Sequence, residues 1–175
     1  SIRSPENNNV LPIAEVGEIC ARSYAVMIEY NDNPEATVSA IDSDGWLHTG
    51  DLGTMDSHGF IRVTGRVKDM IIRGGENHFP AEIEAVLVMH PQVSQVAVVG
   101  LPNEKWGEII AAFILSESAL DRNDLKTHCR ANLSPQKTPS IWVHVPEFPL
   151  TGSGKVQKFA IREKYLAGNY GKVLV

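Results

Sequence analysis

The stretch GRVKDMIIRGGENHFPAEIE, Gly65–Glu84, is where the hydrophobic pattern of this chain changes. Before it, short strand-like runs are separated by turn glycines. Within it a helix begins, because Ile83, Val86 and Leu87 fall at helical spacing behind Pro80, which suits a first helical turn. A boundary near Gly65–Asp69 therefore divides a β-rich part, residues 1–65, from a compact domain, residues 70–175, with 66–69 as a short polar connection. The fold class expected is α+β.

Toward the C-terminus, Val93–Val99 and Ile109–Leu115 are β-rich runs flanking LPNEKWGE, Asp121–Leu133 reads as helix, Ile141–Val145 as strand and Val156–Leu166 as a last helix. The order expected for the second domain is β-α-β-β-α-β-α. Toward the N-terminus, Val16–Cys20 and Tyr24–Tyr30 read as strands. Asn33-Pro34-Glu35 opens a short helix with a cap residue, a proline at the first position and an early carboxylate. Glycines between Gly45 and Thr64 separate Trp46-Leu47, Asp51–Met55 and Phe60–Thr64, which suggests a small antiparallel unit. The polar, Asn-rich opening leads straight into a strand, as though the chain begins mid-domain.

Composition narrows the function classes. Sixteen basic against twenty-one acidic residues, a formal charge of −5, argue against a broad nucleic-acid or anionic-membrane surface. Cys20 and Cys129 lie far apart without a CxxC spacing and are expected to be inert thiols in a reducing compartment. The six histidines show no HExxH pairing, so no metal ligands are assigned. With no signal-peptide profile and no apolar run near the length of a membrane span, a soluble, cytoplasmic protein is expected.

Three segments carry candidate chemistry: GWLHTGDLG (Gly45–Gly53), the Gly65–Glu84 stretch and PLTGSGKVQK (Pro149–Lys158). Lys155 is not in a P-loop, since Pro149 stands where that motif needs glycine and Val156 where it needs Ser or Thr. Taken alone, its Gly-Ser-Gly is a polar turn. Asp51, after Thr49-Gly50, reads either as a turn aspartate capping backbone N–H groups or as an acceptor for two adjacent hydroxyls, the geometry of a ribose diol. Arg66 is a solvated arginine or a fork of donors for ribose or phosphate oxygens. Gly74-Gly75 is a plain β-turn or a place where a slender ligand approaches the backbone. Trp106 is core or the wall of a passage.

In this order and spacing the three segments resemble the adenylate-forming superfamily, which contains acyl- and aryl-CoA synthetases, nonribosomal peptide synthetase adenylation domains and luciferases. VGEICARSYAVMIEYNDNPEAT (Val16–Thr37) is similar to the stretch that precedes that family's TGD motif. The resemblance implies the last third of such an enzyme, with residues 1–65 ending its large N-terminal domain and residues 70–175 forming its mobile C-terminal domain. The family's Ser/Thr/Gly-rich phosphate loop and acid pocket are not found here, so the chain alone is expected to be inactive. The resemblance further implies that Asp51 and Arg66 bind ATP and AMP, that Lys155 is catalytic, that Lys68 is the hinge, and that Gly74, Gly75 and Trp106 line the pantetheine tunnel. Its cofactors would be ATP, Mg2+ held by ligands outside this chain, and CoA, and its acid substrate fatty or aromatic.

Two departures matter. Around Lys137, where CoA ligases often carry further basic residues, the neighbours are Thr138 and Ser140, although Arg73 could partly substitute. That thin cluster keeps a carrier-protein thiol as an alternative acceptor. Asn77-His78-Phe79, before Pro80, departs from the family and has no reading. A non-catalytic interaction module is the remaining alternative, opposed by the joint presence of Asp51, Arg66 and Lys155.

Overall fold

The computed structural model describes residues Ser1–Val175. They form two compact units, Ser1–Lys68 and Asp69–Val175.

The first unit is a four-stranded antiparallel sheet in sequential order, β1 (Ile2–Arg3), β2 (Gly17–Ala21), β3 (Leu47–Met55) and β4 (Ile61–Arg66). Ile2, Cys20 and Leu52 are buried in it. Helix α1 (Pro34–Ala40) begins as its sequence predicts, with the Asn33 side chain accepting from the Ala36 N–H at 3.0 Å. Two expectations are corrected. Tyr24–Tyr30 is not a strand but a turn followed by irregular, bent chain, with Tyr24 and Ile28 almost fully exposed. Aromatic and branched residues favour a strand only where a neighbouring strand accepts their hydrogen bonds, and here none does. Trp46-Leu47 and Asp51–Met55 are not separate pieces, because β3 runs through Gly50. That glycine (φ +73°) lies in a bulge: Glu18 pairs with Leu52 and Cys20 with His48, so three residues of β3 stand against Ile19 alone. Only a residue tolerant of positive φ holds that position without strain.

The second unit has β5 (Ile71–Arg73), β6 (Glu76–His78), α2 (Pro80–Leu87), β7 (Gln95–Asn103), β8 (Gly107–Leu115), α3 (Arg122–Asn132), β9 (Ile141–His144), α4 (Lys158–Leu166) and β10 (Lys172–Val173). The expected order gains the second strand of a hairpin, β6, and a final strand, β10. Strands of two or three residues are too short for a period of two to show. The central strand is β8, paired with β7 through nine residue pairs on one edge, and on the other with β9, in parallel, and at Gly107 with β5.

Both faces of this sheet are covered, which is why IIAAFIL (Ile109–Leu115) reads as an unbroken apolar run. Alternate residues point to opposite faces: Val98, Ile110, Ala112 and Ile114 pack with Ile83 and Leu87 of α2 and with Leu125 and Cys129 of α3. Ala97, Val99, Ala111, Phe113 and Val143 pack with Ile161 of α4. Each fully buried aliphatic or aromatic side chain contributes about 1.5–3 kcal/mol, so this double core holds the second unit rigid. No helix is long and apolar enough to cross a membrane.

Both cysteines are free and buried, and burial pushes each thiol up to about 11. At pH 8 roughly one thiol in a thousand would be ionised. Native protein should therefore resist iodoacetamide over the time in which unfolded protein is alkylated at both sites, and a mass spectrum showing rapid modification of Cys20 or Cys129 would contradict the packing.

Candidate active site

In the first unit the two nucleotide-binding candidates meet each other. Asp51 and Arg66 are direct partners across β3 and β4, and Arg66 Nε lies 3.0 Å from Asp51 Oδ1. Both side chains are exposed enough that the pair contributes little to stability. Its effect is to fix orientation: one carboxylate oxygen is engaged, while Oδ2 and the two terminal guanidinium nitrogens of Arg66 make no other ion pair.

The bulge that carries Asp51 is held from beneath. Buried Glu18 accepts from the Gly50 N–H through Oε1 at 2.9 Å and from His48 Nδ1 through Oε2 at 2.7 Å. The Thr49 hydroxyl donates to the Ile19 carbonyl at 2.7 Å and accepts from the Asp51 N–H at 3.1 Å. Thus Asp51 sits on a bulge inside a strand, where the sequence suggested a turn. Cys20, across from His48, brings Sγ to 3.6 Å from Nδ1, and ligand-type atoms of Glu18, Cys20 and His48 all lie within 4.8 Å of one another. Sequence reading missed this cluster, because its members come from two strands and only the pairing register joins them.

Arg66 ends β4, and a 3-10 turn, Val67–Asp69, follows. The division between the compact units falls inside this turn, between Lys68 and Asp69, so the first unit runs three residues past 65. Lys68 is exposed and takes part in none of the chain's ion pairs.

In the second unit Gly74-Gly75 is the two-residue turn of the β5–β6 hairpin, with φ of +62° and +84°. Two successive positive φ values mark the turn whose twist matches paired strands. The turn is also packed. Gly74 donates its N–H to the Trp106 carbonyl at 2.8 Å, and a Cβ on Gly74 would lie 2.9 Å from Trp106 Cε3. Trp106, in the turn between β7 and β8, is 43% exposed and belongs to neither core cluster. The Arg73 guanidinium and the Lys105 ammonium lie 5.5 and 5.1 Å from its ring centroid. Arg73, Gly74, Glu76, His78, Trp106 and Gln136 line a cavity of about 150 Å³. Two of the basic groups nearby are partly engaged, Arg73 donating through one terminal nitrogen to the Gln136 carbonyl at 2.6 Å and Lys137 pairing with Glu82 at 2.6 Å, whereas Arg73 Nε has no partner and the Lys105 ammonium makes no ion pair.

Gly74→Ala should cost about 1 kcal/mol, from a positive φ forced on a side chain and a Cβ pressed into the indole. A urea midpoint for the second unit equal to wild type would contradict this packing.

Lys155 ends a closed loop. The isolated bridge Leu150–Val156 shuts it, the Thr151 N–H donates to the Lys155 carbonyl at 2.8 Å, and the Lys155 N–H donates to Thr151 Oγ1 at 3.0 Å. Backbone and threonine shape the loop, which leaves the exposed Lys155 ammonium outside every ion pair in the chain. The loop ends on an unspent positive charge.

Residues 82–155 match the model of the AMP-binding enzyme C-terminal domain, and the matched segment ends on Lys155 itself. The chain belongs to the adenylate-forming superfamily. Among adenylate-forming relatives, it is 42% identical over 165 residues to the medium-chain acyl-CoA ligase ACSF2, mitochondrial, of Homo sapiens, covering 93% of this chain and 27% of that protein. ATP-bound MatB from Rhodopseudomonas palustris superimposes with a TM-score of 0.89 at 32% identity, over 96% of this chain and 34% of that one. The o-succinylbenzoate CoA synthetase MenE of Bacillus subtilis, in complex with its acyl-adenylate intermediate, gives a TM-score of 0.85 at 32% identity, over 98% and 34%. The chain spans about a third or less of the length of these proteins.

Proposed function

We propose that this chain is the C-terminal part of an AMP-forming acid–thiol ligase, which adenylates a fatty or aromatic carboxylate with ATP and passes the acyl group to CoA. In the first step a carboxylate oxygen attacks the α-phosphorus and pyrophosphate leaves. In the second a thiol sulfur attacks the acyl carbon and AMP leaves. Lys155 acts in the first step: two anions must meet, and an ammonium at the end of a fixed loop supplies the missing positive charge between carboxylate and α-phosphate. Asp51 Oδ2 accepts from the ribose hydroxyls, with Arg66 holding the carboxylate and offering donors of its own. Gly74, Gly75 and Trp106 flank the entry of the pantetheine arm. Residues 66–69, with Lys68 at the unit boundary, let the second unit present first Lys155 and then the Gly74-Gly75 turn.

The observation that carries this reading is the free Lys155 ammonium at the end of the matched domain. Mg2+ demands oxygen ligands near octahedral geometry. The close ligand-type cluster here, Glu18, Cys20 and His48, offers sulfur and nitrogen beside one carboxylate and does not fit that ion, so no step is routed through it. A carrier-protein thiol is the second reading, favoured by Lys137 being spent on Glu82 where free basic groups would meet the phosphates of CoA. Two free, buried thiols suit a reducing compartment such as the cytoplasm. The deciding experiment is ATP–pyrophosphate exchange by the full enzyme containing this chain, across a panel of acids. Exchange that no fatty or aromatic acid stimulates would refute the proposal.

A further inference from the structure

His78, the residue in Asn77-His78-Phe79 for which the sequence offers no reading, is 3% exposed, and neither of its ring nitrogens has a hydrogen-bond partner. The nearest carboxylate oxygen, on Glu76, is 3.9 Å from Nε2, beyond hydrogen-bond reach. Pairing in the β5–β6 hairpin sets His78 opposite Ile71, three residues past Gly75, and its ring lines the cavity with Gly74 and Trp106. Burial holds the imidazole below its ordinary range, so at pH 7 it is neutral, with one nitrogen donating and the other accepting. A buried polar side chain without a partner, facing a cavity, is a place where a ligand's polar group completes the hydrogen bonding.

We propose that His78 hydrogen-bonds a secondary amide of the acceptor's pantetheine arm, making it a binding residue for the thiol substrate. This rests on the reading that the thiol enters beside Gly74 and Trp106. The chemistry matches at each point. A cavity of about 150 Å³ admits a slender chain rather than a ring system. Its Trp106 face and bare Gly74 backbone suit methylene groups. An amide offers one donor and one acceptor, complementary to a neutral imidazole. An anionic group is a poorer match to His78 itself, since the neutral imidazole carries no charge to offer it and Glu76 lines the same cavity. The arm is common to CoA and to carrier proteins, so the assignment holds for either acceptor.

The test uses the full enzyme and preformed acyl-adenylate, with three acceptors: CoA, pantetheine and an alkanethiol of similar length without amides. His78→Ile should raise KM for CoA and pantetheine roughly fivefold, the loss expected for one neutral hydrogen bond, with kcat little changed. KM for the alkanethiol should not follow, and His78→Asn should restore part of the difference. Equal CoA KM values in wild type and His78→Ile, or a parallel rise with the alkanethiol, would overturn the assignment. If wild type turns over none of the three thiols while it still exchanges pyrophosphate, the thiol-acceptor reading itself fails, and this inference with it. Should His78→Ile not fold, the ring-nitrogen NMR shifts of His78 in the wild-type enzyme during pantetheine titration decide: movement supports the hydrogen bond, and none at saturation overturns it.

Discussion

Lys155→Ala in the full enzyme is expected to lower the rate of adenylation by about 10²–10³-fold, some 2.7–4 kcal/mol, the range found when one preorganised donor to a developing anion is removed. Thioester formation from a supplied acyl-adenylate should be nearly unchanged, because the carboxylate charge is gone once the mixed anhydride has formed and the extra charge of the first transition state has left with pyrophosphate. The variant is a clean probe for a structural reason. The loop is closed by the Lys155 backbone N–H and carbonyl, by Thr151 Oγ1 and by the Leu150–Val156 bridge, none of which needs the ammonium. Single-turnover rates for the two half-reactions check it. Equal losses in both would mean that Lys155 supports folding or general binding instead.

The second large effect is expected from Lys68→Pro: thioester formation slowed tenfold or more, a barrier increase of about 1.4 kcal/mol or above, with adenylation largely retained. Lys155 and the Gly74-Gly75 turn belong to the same unit, and the proposed two-step reaction would ask each in turn to face the bound acid. A unit with a core buried on both faces of its sheet is not expected to bend to do this, so the proposal assigns the motion to the chain between the units. Proline fixes φ near −65° at Lys68 and restricts Val67 before it. The side chain itself makes no ion pair, so Lys68→Ala should behave as wild type. Rapid-quench measurement of each step decides: both rates falling together, or neither changing, removes Lys68 as the pivot.

Much of the fold was legible because helices announce themselves locally. Asn33 before Pro34, Pro80 before an amphipathic run, and Asp121 at the cap of α3 each place a helix start by satisfying or dispensing with free N–H groups. Strands are defined by partners, and the errors lie there. Tyr24–Tyr30 has strand composition without a neighbour, Thr49-Gly50 has turn composition inside a bulged strand, and β5 and β6 show no alternation in three residues each. Asp51, Arg66, Lys155, Gly74, Gly75 and Trp106 could all be singled out as candidates from motifs. The Asp51–Arg66 ion pair could not, since it depends on the β3–β4 register, which shifts between Leu52 and Gly53. His78 was opaque for another reason: a histidine's burial without a partner is a property of its surroundings, and its sequence neighbours do not reveal it.

Strand β8 has a consequence for the time scale on which the second unit opens. It is paired with β7 throughout, and on the far side with β9 at Ala111–Ile114 and with β5 at Gly107, and the side chains from Ile110 to Ile114 are fully buried. Amide protons there can reach solvent only when the whole unit comes apart, whereas those of the exposed loop at 152–155 and of the Gly74-Gly75 turn need only a local excursion. In deuterium exchange the unit should separate into a slow centre and fast edges, with the groups assigned to chemistry at the edges. Evolution or design could then alter acceptor preference at those edges without disturbing the opening of the centre.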